Sequence, residues 1–400
     1  MILLSLASKQ IWPHILVVAQ MRPEQVVLLH SDDMVESQGP AQRLKRFFDK
    51  SGLVPKGGTR LALVPHQDFA GMEEALDGVQ LRAQLPLGQC CLNFTGGNKL
   101  MATAGFRWAA KRSVPSFYLE RGNRLTWFEP RDAGDMRTRE ELLNGHLADA
   151  LDPVELLRCH LTTAEIERPG QNLTLAGAST AMKEEEFMRK LDAGTLPRQG
   201  LEVQGVAGWE VQKGDELEYR SAAVLLKLGV QRVQRSLRLK VKAAAQTGTR
   251  NPHTEIDLLF TWAGRLWLVD CKDRIPAENL ADNLRRMLPP RTSDAVELFD
   301  RIRNELSISQ TKVMKEDLLA IREIGGLLGQ VLCVRNAELP DEVAQYAQLN
   351  QIEVVQKANL AAGFRKLLFP QHPPGPKKMM TMGFLELKDK IEAQVGGSRA

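Results

Sequence analysis

The sequence predicts an α/β protein of two domains in tandem: a parallel sheet covered on both faces, then a second α/β unit with a mixed sheet. Three observations carry this. Four hundred residues exceed what a single hydrophobic core usually holds, since cores stop growing near about 250–300 residues. In the first third, short continuous apolar runs alternate with stretches of helical spacing, the pattern of βαβ units whose strands are buried on both faces. From about Gly208 an amphipathic helix is followed by alternating and hairpin-forming strands before strand–helix alternation resumes.

Each element has its own warrant. "ILLSLAS" is a short buried strand and "IWPHILVVAQM" a helix; "QVVLLHS" is a second strand and "GPAQRLKRFFDK" an amphipathic helix. "RLALVPH" is a third strand, and "QCCLNFT" a fourth that runs into the helix "NKLMATAGFRWAAKR". "PSFYLE" and "RLTWFEP" flank the turn "RGN". Together these predict a Rossmann-like domain over residues 1–150. The apolar N-terminus lacks a basic leading region and is interrupted by Lys9, Pro13 and His14, so it reads as strand, loop and helix rather than as a signal peptide. No stretch offers some twenty uninterrupted apolar residues, so no membrane span is expected.

Residues near 131–205 are more polar, with helices expected around Glu140–Ala148 and Pro153–Cys159, and 151–205 read as a connector with a charged helix in "MKEEEFMRKL". Residues 206–370 form the second domain. "GDELEYRSAAVLLKLGV" is an amphipathic helix with acids in its first turn. "VQRSLRLKVKAA" sets Leu237, Leu239 and Val241 on one face and Arg238, Lys240 and Lys242 on the other. "EIDLLFTWAGRLWLVDCKD" is two strands joined at Ala263–Gly264. The strand "GQVLCVRN", helix "DEVAQYAQL", strand "IEVVQ" and helix "LAAGFRKLLF" follow, and residues 371–400 read as a tail.

Bulk properties narrow the function classes only a little. The net charge of +4 and pI near 8.7 are compatible with a nucleic-acid partner without arguing for one. The five scattered cysteines form no CxxC pair, which points to a reducing, cytoplasmic setting without structural zinc.

Two stretches carry chemistry. In "LNFTGGNKLM" the fourth strand ends at Thr95 and a helix opens near Asn98. Gly96 and Gly97 allow a tight turn and a close approach to backbone amides. The helix N-terminus favours an anion, Thr95 and Asn98 offer hydrogen bonds, and Lys99 adds charge. In a sheet ordered 3-2-1-4-5, strands one and four adjoin at the switch point where ligands bind. Ser8, Lys9 and Gln10 are therefore expected to face this loop. The spacing is neither GxGxxG nor GxxxxGK[ST], so dinucleotide or Walker-type binding is not supported. A glycine turn with an N-cap and no ligand is the plain alternative. Trp12 and His30 lie near the expected pocket, as base-stacking groups or as core.

In the second stretch, Asp257 lies on one strand of the hairpin, and Asp270 and Lys272, two apart, share a face of the next. Two carboxylates on adjacent strands suit a hard divalent ion completed by water, and a lysine beside them can orient a nucleophile and meet phosphate charge. Glu218, on the preceding helix, and the carbonyl of Cys271 are further candidate ligands. Glu255 shares the strand with Asp257, and His253 lies just before it. The alternative is a solvated ion-pair cluster at a sheet edge.

Both halves resemble one family. "LNFTGGNKLM" is similar to the N-x-TGG-[TN]-K-x-M loop of the CRISPR-associated Rossmann-fold sensor domain. Glu218, Asp257, Asp270 and Lys272 resemble the helix–strand–strand motif of PD-(D/E)xK nucleases, which have a restriction-endonuclease-like fold. The chain thus resembles the sensor–nuclease effectors of type III CRISPR defence. Asn98 stands where threonine is commoner, and Asp270 where glutamate is frequent. The resemblance implies a homodimer whose sensor domains bind a cyclic oligoadenylate, most of all cyclic tetra-adenylate. That ligand switches on cleavage of DNA, RNA or both, with Mg²⁺ or Mn²⁺. It implies binding by Ser8, Lys9, Gln10, Thr95, Gly96, Gly97, Asn98 and Lys99, and catalysis by Glu218, Asp257, Asp270 and Lys272, with Cys271 beside the metal. A ligand-responsive nucleic-acid-binding regulator and a constitutive restriction or repair nuclease are the alternatives.

Overall fold

A computed structural model describes residues 1–120, 122–131, 136–162, 164–212, 214–241, 253–273, 286–287, 293–325, 329–336 and 338–370. The first sheet collects β1 (Ile2–Leu6), β2 (Gln25–His30), β3 (Thr59–Leu63), β4 (Cys90–Asn93), β5 (Ser116–Glu120), β6 (Arg124–Pro130) and β7 (Met136–Leu142), in the order β3-β2-β1-β4-β5-β6-β7. β1 to β5 pair in parallel, and β6 and β7 add an antiparallel margin. The expected 3-2-1-4-5 order is present. It follows from strands such as β1, buried at every position, which need helices on both faces. Those helices are α1 (Trp12–Met21), α2 (Gly39–Ser51), α3 (Phe69–Arg82) and α4 (Lys99–Lys111).

Two expectations change here. α3, the crossover from β3 to β4, was not legible in the sequence. It buries Met72, Leu76 and Val79, a sparse stripe diluted by Gly71, Asp77 and Gly78. The helix expected around Glu140–Ala148 is instead the end of β7 and a short 3₁₀ turn at Gly145–Ala148. Pairing with β6 overrides local helix propensity. Arg139 bridges Glu129 at 3.2 Å and Glu141 at 2.9 Å, and Arg124 reaches Glu140 at 3.4 Å across the pair.

The chain continues through α5 (Pro153–His160), β8 (Ala164–Arg168), β9 (Gln171–Leu175), α6 (Gly177–Ala181), α7 (Glu184–Asp192) and β10 (Leu201–Val203). α5 and α7 fulfil the helices expected there. The stretch read as a connector also gives three strands to the second sheet: β9 and β10 pair with each other, and β8 and β9 lie along β11 (Val233–Val241).

α8 (Glu216–Lys227) precedes β11, followed by β12 (His253–Trp262), β13 (Arg265–Lys272), α9 (Ser293–Gly325), β14 (Gly329–Arg335), α10 (Asp341–Leu349), β15 (Glu353–Gln356) and α11 (Leu360–Leu368). The sheet order β10-β9-β11-β12-β13-β14-β15 is antiparallel through β13 and parallel beyond it, hence mixed. β12 and β13 turn at Ala263 and Gly264, both at positive φ (49° and 72°), as a two-residue hairpin requires. Lys242 and residues 371–400 lie outside the described residues.

One core cluster joins the two sheets, running from Leu3, Ile15 and Phe48 to Leu239, Leu259 and Leu268. The hairpin turn rests on the first domain. The Trp12 indole N–H donates to the Gly264 carbonyl, and the His146 ring stands edge-on to Trp262 at 5.0 Å. A β-carbon at Gly145 would collide with the Ala263 carbonyl. Trp12 is therefore a junction residue, buried and without a place in the pocket. Among the described residues no helix is long and apolar enough to cross a membrane.

Candidate active site and ligand pocket

β12 and β13 register Leu258 against Val269, so Asp257 and Asp270 fall opposite each other one step on. The strands also break regularity there. Ile256 and Leu237 pack into the core between the sheets, whereas Leu258 packs into the core around α8, although strict alternation would put Ile256 and Leu258 on one face. Ser236 of β11, at φ 56°, marks the break. The switch of faces brings the Asp257 carboxylate in beside β13.

Asp257, Asp270 and Lys272 meet. The Lys272 ammonium is 3.0 Å from Asp270 Oδ1 and 3.7 Å from Asp257 Oδ2. The Cys271 amide donates to Asp257 Oδ2 at 2.6 Å. Because N–H and C=O of one residue point to the same side of an extended strand, the Cys271 carbonyl also faces β12. Asp257 and Asp270 are buried, while the Lys272 side chain keeps 26% exposure. Burial, together with the Asp270 charge and against the Lys272 ammonium, pushes Asp257 up to about 6. Asp270 is held below the usual carboxylate range, because Arg335 and Lys272 outweigh its burial.

Arg335 is the member that sequence reasoning missed. Its Nη2 donates to Asp270 Oδ2 at 2.6 Å, and both side chains are nearly inaccessible. The parallel register of Lys272 against Arg335 puts it there. The only sequence signal is an arginine ending the apolar run "GQVLCVR".

Glu218 sits in the first turn of α8, paired with Arg235 at 2.8 Å rather than with the facing carboxylates. Burial and the Asp257 charge outweigh Arg235 and push Glu218 up to about 8. Among the described residues no three acidic, histidine or cysteine side chains converge on one point. Glu255 is exposed and accepts from Ser236, and Arg238 and Lys240 are exposed on β11.

The raised carboxylates have a pH signature. Between the ordinary carboxylate range and their folded values, Asp257 and Glu218 bind protons in the fold that the unfolded chain has released, so stability falls as pH rises through that window. In EDTA, thermal unfolding should show stability declining from about pH 5 to about pH 8, by on the order of 5 kcal/mol. Glu218→Gln should flatten the decline; an unchanged slope in that variant would refute the assignment.

The sensor-side loop is built on β1. Asn93 Nδ2 donates to Ser5 Oγ (3.1 Å), which lies 2.9 Å from His14 Nδ1, and Asn93 Oδ1 accepts from the Thr95 amide at 3.0 Å. A β-carbon at Gly96 would collide with the Leu6 carbonyl, and Gly97 sits at φ 75°, so close packing dictates the first glycine and a left-handed backbone the second. Asn98 caps α4 by accepting from the Met101 amide at 2.8 Å and donates to the His66 carbonyl at 2.8 Å.

A cavity of about 200 Å³ opens there, lined by Ser8, Gly97, Asn98, Ser31, Glu36 and His66 among others. Ser8, Gly97 and Asn98 thus meet as expected. Lys9 does not line it: its ammonium lies on the exposed Glu36 carboxylate at 2.9 Å. Gln10 and Lys99 are exposed outside it. The Thr95 hydroxyl accepts from the Leu119 amide at 2.8 Å, tying the loop to β5. His30 is likewise turned aside, bonded to the Ser31 carbonyl at 2.8 Å.

No family model and no curated protein matches the chain. Solved structures do. "Can2 from Sulfobacillus thermosulfidooxidans in complex with cyclic tetra-adenylate (cA4)" matches over 92% of this chain and 99% of its own at TM-score 0.56 and 15% identity. Protein VC1899 from Vibrio cholerae matches over 92% and 97% at TM-score 0.55 and 12% identity. A weaker likeness, TM-score 0.49 at 19% identity, links 85% of this chain to 46% of "a Type III CRISPR defence DNA nuclease activated by cyclic oligoadenylate". The chain shares the fold of Can2 and VC1899 over 92% of its length.

Proposed function

We propose that the protein is a cyclic oligoadenylate-activated, metal-dependent nuclease of type III CRISPR defence, acting as a homodimer on DNA or RNA. The observation that carries this reading is the convergence of Asp257, Asp270 and Lys272 at the open end of one hairpin. Apolar strands have no packing reason to end in two buried carboxylates. The shared fold of Can2, whose structure holds cyclic tetra-adenylate, supports the sensor half.

The donor set suits a hard divalent ion such as Mg²⁺ or Mn²⁺: two facing carboxylates and a strand carbonyl. Asp257 and Asp270 would hold it, with the Cys271 carbonyl alongside. Bound there, such an ion supplies Lewis acidity to a phosphodiester and lowers the pKa of an attacking water. Lys272, partly exposed, reaches from the carboxylates toward the substrate side and donates to a phosphate oxygen or holds the attacking water in line. Burial of the carboxylates keeps the local dielectric low, which strengthens each of these interactions.

The sensor cavity is smaller than the ~300–1,000 Å³ of ordinary ligand sites, so a ring of four nucleotides would lie across its mouth, over the Gly97–Asn98 loop. Two copies of that loop about a twofold axis match a ring with twofold symmetry. The test is plasmid and single-stranded RNA cleavage with Mn²⁺, with and without cyclic tetra-adenylate. Activator-dependent cutting supports the proposal. Cutting indifferent to activator favours a constitutive nuclease, and no cutting with any metal favours a ligand-responsive binding protein.

A further inference from the structure

The metal reading leaves Arg335 unexplained. Both Asp270 oxygens are occupied by cationic nitrogens, Oδ1 by Lys272 at 3.0 Å and Oδ2 by Arg335 at 2.6 Å. The two cations differ in freedom. Lys272 is 26% exposed and can swing toward solvent, whereas the Arg335 side chain is 4% exposed. Arg335 is also poorly shared: its Nε and Nη1 are buried with no hydrogen-bond partner among the described residues. Among the described residues its one carboxylate partner is therefore Asp270. A lone structural ion pair would gain from satisfying those donors, since unpaired buried donors are costly.

We propose that Arg335 is a built-in countercharge to Asp270, which weakens divalent-ion binding by the site on its own and so leaves the phosphodiester to supply the missing negative charge. This rests on the nuclease reading above. A fixed guanidinium on the same carboxylate repels a dication at short range in a poorly screened interior. Arg335 touches neither substrate nor reacting atoms; it is a positioning residue that sets when the metal enters.

The experiment is Mn²⁺ titration by calorimetry of the full chain without nucleic acid, for the wild type, R335K, R335Q and R335M, with D270N and R335Q/D270N as controls. Thermal unfolding identifies which variants are folded. R335Q keeps an amide donor for Asp270 and carries the comparison if R335M does not fold. The expected result is Mn²⁺ binding at least about tenfold tighter in R335Q than in the wild type, binding in R335K within about threefold of the wild type, and loss of binding in R335Q/D270N. Unchanged or weaker binding in a folded R335Q overturns the inference, as does R335K binding as tightly as R335Q. If neither wild type nor R335Q nor R335M binds Mn²⁺, the metal-site reading itself fails. Binding lost in D270N but not tightened in R335Q removes Arg335 alone.

Discussion

Replacing Lys272 with alanine is expected to lower activator- and metal-dependent cleavage by about 10²–10⁴-fold, the usual cost of removing a group that moves or holds a proton at the reacting centre. The structure separates this loss from misfolding. The ammonium is the one member of the cluster with access to solvent, whereas Asp257 and Asp270 are sealed beneath it. Without Lys272, Asp270 keeps Arg335 and Asp257 keeps the Cys271 amide, so neither carboxylate is left without a partner. Unfolding measured in Mn²⁺ should stay cooperative, because a divalent ion replaces the lost positive charge. Cleavage at the wild-type rate by Lys272→Ala would remove the residue from the chemistry. Mn²⁺ affinity should survive the substitution, since Lys272 competes for the carboxylates rather than binding the ion.

Trp12→Ala is expected to destabilise the protein by about 3–5 kcal/mol, the range for emptying a buried aromatic site. Trp12 is 8% exposed and holds the Gly264 carbonyl of the β12–β13 turn, so the cavity would open between the two sheets. Denaturant unfolding followed by fluorescence measures it. Trp12→Phe keeps the ring and loses one hydrogen bond, and should cost only about 1 kcal/mol. Equal costs for both variants would show that the ring is not packed as described. Trp12 lies four residues beyond Ser8 at the pocket, and the turn it holds belongs to the hairpin that carries Asp257 and Asp270. Pocket and acidic cluster are thus joined by one helix start and one hairpin.

The elements legible in the sequence were those with strong periodicity or explicit punctuation. β1, β2 and β4 are short, mainly apolar runs, and Ala263–Gly264 announced its hairpin. Misreadings fell where local propensity and long-range pairing disagree. "REELL" has a helix-forming composition, yet it runs out along β7, paired with β6, because cross-strand arginine–glutamate pairs and sheet continuation win. β8, β9 and β10 read as linker because a short strand at a sheet margin needs few apolar residues. In the pocket loop, Gly96, Gly97 and Asn98 carry the geometry expected of them. Thr95 also accepts from β5 and Lys9 pairs with Glu36, partners that spacing alone does not reveal.

By itself, the sequence determined the two α/β units, the order of the first five strands and the tripeptide pair of Asp270 and Lys272. Alternation and apolar runs are local properties, and residues two apart on a strand must share a face. Only the tertiary structure decided which charges meet that pair. Arg335 arrives through the parallel pairing of β13 with β14, sixty-odd residues apart in the chain; Glu218 is drawn to Arg235 instead; and Trp12 binds a turn more than two hundred residues away. Such contacts depend on register and on where a buried charge finds its nearest countercharge, quantities that exist only once strands from distant parts of the chain lie side by side.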